Sequence, residues 1–362
     1  MDPVYKVDSP RSGAIFPAHM SSSGITLHNV AAFVPHPQDG RNVFSRLPLM
    51  VRQACNPGCQ EKSLQTAGVE MRCNIGDGGG SISVHVAGTQ PVRAELYLGD
   101  FLLWPFPLAP GKADIPLSAT YTFPWLKGLH PQGQSASFLA TIQPRRFDPR
   151  LVRILLPYRA SVGPIKTRGA LTPARADQVP PRTLLAYGSS ITQGTESLAA
   201  GDAYAPRLAR LLGLDLLNLG FGGSAHLEPE MATHIAQRQD WHAATLELGI
   251  NLIGSLTPDA FAERARSFIH TIAAGQPTRP VFCLDLFRYF DDFPGGDAGR
   301  ARAYRDAVRA AAGSAGAHVH HIPVHSLPSP AGLCADLLHP SPEGMEEMAR
   351  ALAQTIRTVL GS

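Results

Sequence analysis

The chain has 362 residues, of which 44% are hydrophobic and 17% charged, with a formal net charge of +3. That length suits two domains with sizeable cores. The small, scattered positive charge excludes a phosphate-tracking surface, so no nucleic-acid partner is expected. The densest basic group, Arg145, Arg146, Arg150 and Arg153, reads as a solvated edge. No apolar stretch approaches the roughly 18 residues of a membrane helix, so no membrane partner is expected. The opening "MDPVYKVDSP" lacks the apolar segment of a secretory leader. A cytoplasmic location follows, a leader removed before this numbering being the alternative. The five cysteines show no paired zinc spacing. They are expected to be free thiols, a Cys55–Cys59 bridge being the alternative.

In chain order, the first 65 residues are irregular, with one early strand in "GITLHNVAAFV" and long loops. Short apolar stretches broken by turn residues follow: "GVEMRC", "GGSISVHVAG", "RAELYLGDFLLWPF", "KADIPLSATYTF", "SASFLATI" and "RLVRILLPY". "SISVHV" alternates, with Ile82, Val84 and Val86 on one face. The pattern predicts an all-β sandwich or jelly roll over residues 1–165. Residues 157–182 are rich in Pro, Gly and Ala and read as a connector, with the linker proper drawn at 166–182.

From residue 183 the period changes. Strands "TLLAY", "DLLNLG", "AATLELG", "RPVFCLDLF" and "HVHHIPV" alternate with helical stretches beginning at Asp202, Pro258, Ala298 and Pro342. The last helix carries an apolar stripe of Met345, Met348, Leu352, Ile356 and Val359, with Ser341 as N-cap, Pro342 at its first position and Gly361 as C-cap. Alternating strands and helices predict an α/β domain over 183–362, in three layers around a mostly parallel sheet. Ligands of such sheets bind beyond the carboxyl ends of the strands.

Four such ends are polar or glycine-rich: Gly188-Ser189-Ser190, "NLGFGGS" (218–224), "LELGIN" ending at Asn251, and "ADLLHPSPEG" with Asp336 and His339. Each alone reads more readily as a cap, turn or solvated loop. Together they supply a hydroxyl, a run of backbone N–H groups, an amide donor, and a carboxylate near an imidazole, which is the inventory of acyl transfer. The two-residue spacing lets Asp336 meet one ring nitrogen of His339 and leaves the other for the serine. The α/β-hydrolase elbow G-x-S-x-G is excluded, because Thr192 stands where its second glycine would be.

These residues resemble the SGNH or GDSL-type serine esterases, over residues 183 to 360. "GSSITQG" matches the family's first block, with Ser189 in place of the usual aspartate and Ser190 as nucleophile. "NLGFGG" matches the second, giving Gly223 as an oxyanion N–H, with Gly220 or Gly222 in a shifted register. "GIN" gives Asn251 as side-chain donor, and "DLLHP" gives Asp336 and His339. The resemblance implies a Ser190–His339–Asp336 triad, an oxyanion hole of Ser190, Gly223 and Asn251, and neither cofactor nor metal. A β-rich module ahead of this block resembles a two-domain subgroup that includes carbohydrate acetylesterases.

The expected function is hydrolysis of short-chain, acetyl, esters on carbohydrates, acting on a small-molecule or oligosaccharide substrate, with a homo-oligomer allowed. Trp104, Phe106, Tyr121 and Trp125 are either sugar platforms or core. A general short-chain or lipase-like acylhydrolase is the nearest alternative. A non-catalytic carbohydrate-binding protein and a metal hydrolase using His318, His320 and His321 are the others.

Overall fold

The computed structural model describes residues 19–22, 24–129, 133, 135–143 and 145–361. The opening stretch read for a leader lies outside the described residues. Strands β1 (His19–Ser22), β2 (Ile25–His28), β3 (Ala32–Pro35) and β4 (Asn42–Ser45) are followed by helices α1 (Leu49–Ala54) and α2 (Pro57–Lys62). Then come β5 (Glu70–Val86), β6 (Val92–Leu98), β7 (Phe101–Leu108), β8 (Gly111–Leu117), a short helix α3 (Ala136–Leu139), β9 (Val152–Leu155) and β10 (Val162–Pro173).

The organiser of this half is β5. Its start, Glu70–Cys73, pairs with β2 and β9, while its end, Gly80–Val86, pairs with β8 and β10. The glycines between, in "NIGDGGG", weaken side-chain packing and let the strand bend. Both ends therefore line one core, in which Met71 and Cys73 join Ile82, Val84 and Val86. The result is one antiparallel sheet of eight strands, with β3 and β4 paired separately in a two-stranded sheet.

Several expectations are corrected here. The stretch 157–182 is not a bare connector, since β10 occupies 162–173 and pairs along β5. "SASFLATI" forms α3, with Ser135 accepting from the Phe138 N–H as N-cap, where a strand was expected. The solvated basic edge is half wrong. Arg153 is buried against Glu70, and Arg146 is held by Asp100, because these guanidiniums sit where the two halves meet. On β5, Ser83 and His85 are buried along with the apolar face, and His85 is held by Asp39 of the segment between β3 and β4 at 2.6 Å.

The second half contains β11 (Thr183–Gly188), α4 (Ser190–Gln193), α5 (Tyr204–Leu211), β12 (Asp215–Gly220), α6 (Pro229–Gln237), β13 (Ala243–Glu247) and α7 (Pro258–Gly275). It closes with β14 (Val281–Leu284), α8 (Ala298–Gly313), β15 (Val319–Ile322) and α9 (Pro342–Leu360). The five strands are parallel in the order β12-β11-β13-β14-β15. Along β11, Leu184 and Ala186 face the core shared with α5 and α9, while Leu185 and Tyr187 face α6, α7 and α8. Burial on both faces is why "TLLAY" reads as a continuous apolar run. In α9 the expected caps are present, and four of the five stripe residues are buried. Val359, in the last turn, is exposed.

β12 is an edge strand, and the antiparallel half closes it. The His28 ring N–H donates to the Leu216 carbonyl, Asn29 and Arg46 donate to that of Asn218, and Arg146 to that of Leu214. An uncovered edge would offer those groups to another chain. At the centre Arg72 of β5 makes two 2.7 Å bonds to Asp215 of β12 and a 2.8 Å bond to Glu70. Burial opposes ionisation of both acids, but the facing guanidiniums prevail, holding Glu70 at about 2 and Asp215 well below the usual carboxylate range. Removing one partner of a buried pair leaves an uncompensated charge. Arg72→Ala is therefore expected to lower the unfolding free energy by about 3–5 kcal/mol in urea titrations. A loss within experimental error would remove this contact from the account.

Candidate active site

All strand ends named above open on one side of the parallel sheet. The chain leaves β11 toward β12 on one flank and continues from β13 toward β14 on the other, so a crevice forms between the ends of β11 and β13. Ser190 follows the first strand and Asn251 follows the second.

Ser189 caps α4, its side chain accepting from the Ile191 N–H, and Ser190 is the first helical residue. First-turn N–H groups lack intrahelical acceptors, which leaves the Ser190 N–H open. The Ser190 Oγ lies 2.9 Å from Nε2 of His339. His339 Nδ1 lies 2.6 Å from Oδ2 of Asp336. The other carboxylate oxygen of Asp336 accepts the N–H groups of Leu338 and His339, each at 3.0 Å. Partial burial opposes ionisation of Asp336, but the bonds from His339 and these amides hold its pKa below the ordinary value. The loop is closed by the Cys334 N–H on the His339 carbonyl at 2.8 Å, and Leu337 takes a left-handed φ of 52° at its tip.

The loop after β12 explains the spacing of its glycines. A Cβ at Gly220 would run into the Gln193 backbone, so α4 can pack on the strand end only there. Gly220 donates to Asn218 Oδ1 at 2.8 Å, and Gly222 to Gln193 Oε1 at 2.7 Å. Both alternative registers are therefore already engaged. Gly223, exposed with φ 69°, has an N–H without a partner among the described residues. Asn251 accepts the Ala225 N–H at its oxygen (3.1 Å), and its side-chain amide donor has no partner among the described residues. Among the described residues, Ser190, Gly223 and Asn251 thus each present an unused N–H.

Two residues went unread in the sequence. Glu247, at the end of β13, is fully buried and accepts from the Ser189 N–H (2.8 Å), the Ser189 hydroxyl (2.7 Å) and the Thr192 hydroxyl (2.8 Å). Burial raises its pKa, with those hydrogen bonds countering in part. Its signal was a carboxylate inside the otherwise apolar "AATLELG". Gln193 was the other, an amide placed three residues after Ser190.

The histidine tract forms no cluster. His321 pairs with Asp285 at 2.8 Å, a carboxylate brought from the end of β14, and His320 stacks on Phe282. Among the described residues no three potential ligands gather to hold a metal. Cys55, Cys59, Cys73, Cys283 and Cys334 are all free. Trp104 and Trp125 are exposed, whereas Phe106 and Tyr121 pack against the antiparallel core. Among the described residues no helix is long and apolar enough to cross a membrane.

The raised pKa of Glu247 sets a sign. Its carboxyl favours the folded state fully below the ordinary glutamate value, and that contribution is lost as pH rises through the folded value. In urea titrations across pH, the stability of the wild type relative to Glu247→Gln should therefore decline as pH rises. A flat or rising difference would contradict the assignment.

Several solved structures share the fold. A salicylyl-acyltransferase from a tetracycline biosynthetic pathway superposes with a TM-score of 0.73 at 17% identity, covering 94% of this chain and 98% of that one. A family two carbohydrate esterase from Clostridium thermocellum, in complex with cellohexaose, gives 0.58 at 14%, covering 82% and 94%. An acetyl xylan esterase from the rumen bacterium Butyrivibrio proteoclasticus gives 0.55 at 14%, covering 94% and 96%. No curated protein sequence matches the chain. The family model for GDSL-like lipases and acylhydrolases matches residues 186–347, a span that holds every strand end of the crevice. Residues 186–347 are a GDSL-like lipase/acylhydrolase domain, and the chain is a carboxylic ester hydrolase.

Proposed function

We propose that the chain hydrolyses short-chain esters, acetyl esters of carbohydrates foremost, through a Ser190–His339–Asp336 triad. The observation that carries this reading is the unbroken hydrogen-bonded chain from Ser190 through His339 to Asp336, beside three unused N–H donors. Ser190 Oγ attacks the ester carbon and its proton passes to His339 Nε2. The negative oxygen is held by the N–H groups of Ser190 and Gly223 and the amide of Asn251. Collapse breaks the ester C–O bond, and His339 gives its proton to the leaving alkoxide. Water, deprotonated by His339, then attacks the acyl carbon; collapse breaks its bond to Ser190 Oγ, which takes the proton back from His339, and the acid is released. Asp336 fixes the imidazole orientation and stabilises its protonated form.

A small acyl group suits the rim. Of the large hydrophobic side chains in the segments that build the site, only Leu198 and Leu337 are exposed, too little for a lipid-docking surface. Carbohydrate as the alcohol component is supported by two solved neighbours with the same two-part fold, one an acetyl xylan esterase, the other holding cellohexaose. The salicylyl-acyltransferase, with the highest TM-score of the three, favours a second reading in which an alcohol replaces water in the second step.

The test is an acyl-length series of p-nitrophenyl esters, repeated on acetylated xylo-oligosaccharides with and without an added alcohol acceptor. The expected outcome is a steep fall in kcat/KM beyond acetyl, release of free acetate, and loss of turnover in Ser190→Ala. A preference for long chains would overturn the substrate assignment. Transfer of acetyl to the acceptor in place of free acetate would favour the second reading, and full activity in Ser190→Ala would overturn the mechanism.

A further inference from the structure

The geometry points to the antiparallel half as a working part of the oxyanion site: Gln65, acting through Gln193, and Asn56, acting through Ser224, are positioning residues that hold the loop Asn218–Ser224 in its donor geometry. This rests on the acyl-transfer reading above. The loop is gripped at its beginning and end by groups from the antiparallel half, and at its middle by Gln193, which that half holds in turn. At its beginning, the Asn218 carbonyl accepts from Arg46 (3.0 Å) and Asn29 (3.1 Å). At its end, the Ser224 carbonyl accepts from the Asn56 side chain at 2.9 Å, and Asn56 is itself held by Glu228.

The middle grip matters most. Gln193 Oε1 takes the Gly222 N–H at 2.7 Å, while its Nε2 donates to Gln65 Oε1 at 2.5 Å and to the Tyr158 carbonyl at 3.1 Å. A primary amide has one acceptor end and one donor end. With both hydrogens of Nε2 committed to acceptors of the antiparallel half, the oxygen must face Gly222. That fixes the Phe221–Gly222 peptide, one before the peptide of the Gly223 N–H, which has no partner among the described residues. The sequence "GFGGS" has wide backbone freedom when unsupported. Donors stabilise a developing oxyanion only if they are oriented beforehand. An accessory module that merely bound substrate would have no reason to engage this loop at both ends and to hold the side chain that engages its centre.

The experiment uses the full-length chain, p-nitrophenyl acetate, and methylboronic acid as a probe that forms a tetrahedral adduct on an activated serine. Gln65→Ala removes the acceptor for Gln193. It should lower kcat about tenfold to a hundredfold with KM little changed, the range expected for a small misplacement of catalytic groups. The inhibition constant of methylboronic acid should rise by the same factor. Gln65→Glu keeps an acceptor oxygen and should restore most of kcat, which a general loss of packing would not allow. Asn56→Ala carries the same expectation for kcat and boronate affinity, and decides the matter where Gln65→Ala does not fold. Unchanged kcat in the folded variants, a change confined to KM, or a loss that Gln65→Glu fails to restore overturns the inference. If Ser190→Ala retains activity, the acyl-transfer reading fails first. If Ser190 is essential and the two variants turn over normally, only the positioning role fails.

Discussion

The proposed chemistry depends on one hydrogen bond, from Ser190 to His339, joining groups 149 residues apart in the chain. Nothing local creates it. A parallel sheet sends every strand in the same direction, so all its carboxyl ends meet at one rim, and loops from distant segments converge there. Ser190 arrives on the turn after β11. The imidazole arrives on the loop that caps α9, fastened by the Ser341 N–H to the Gly332 carbonyl. Burial of α9 on the sheet thus sets the position of His339, and the Asp336 loop sets its orientation.

A second constraint lies directly beneath. The position where the resembling family carries an aspartate holds Ser189 here, and a carboxylate is supplied instead by Glu247 from the neighbouring strand. One buried carboxyl therefore stitches the nucleophile turn to β13, two residues before Gly249 and four before Asn251. The antiparallel half adds a third. By covering the edge of β12 it satisfies carbonyls that would otherwise be left at an open edge, and the same contacts continue into the glycine-rich loop. Fold closure and site geometry share these residues.

Much of this was legible in the sequence, for reasons that are local. The α/β half announced itself through its change of period, and the caps of α9 through Ser341, Pro342 and Gly361. Ser190, Gly223, Asn251, Asp336 and His339 stood at strand ends in a recognisable order, and the structure brings Ser190, His339 and Asp336 into hydrogen-bonding contact. What stayed hidden depends on pairing across the chain. β10 lay in a Pro- and Gly-rich stretch and is a strand because β5 offers it a partner over most of its length. α1 and α2 are too short to show periodicity. Arg146 and Arg153 looked solvated because their partners Asp100 and Glu70 are far away in sequence. Glu247 and Gln193 looked ordinary for the same reason.

The central claim is that the fold makes one hydroxyl, that of Ser190, nucleophilic. Labelling with a fluorophosphonate, read by intact mass and peptide mapping, addresses it most directly, because only an activated serine reacts. The account predicts a single adduct on Ser190 that is lost in His339→Ala, while Ser189 stays unmodified. Absence of labelling, or labelling that persists at full rate without His339, would contradict it.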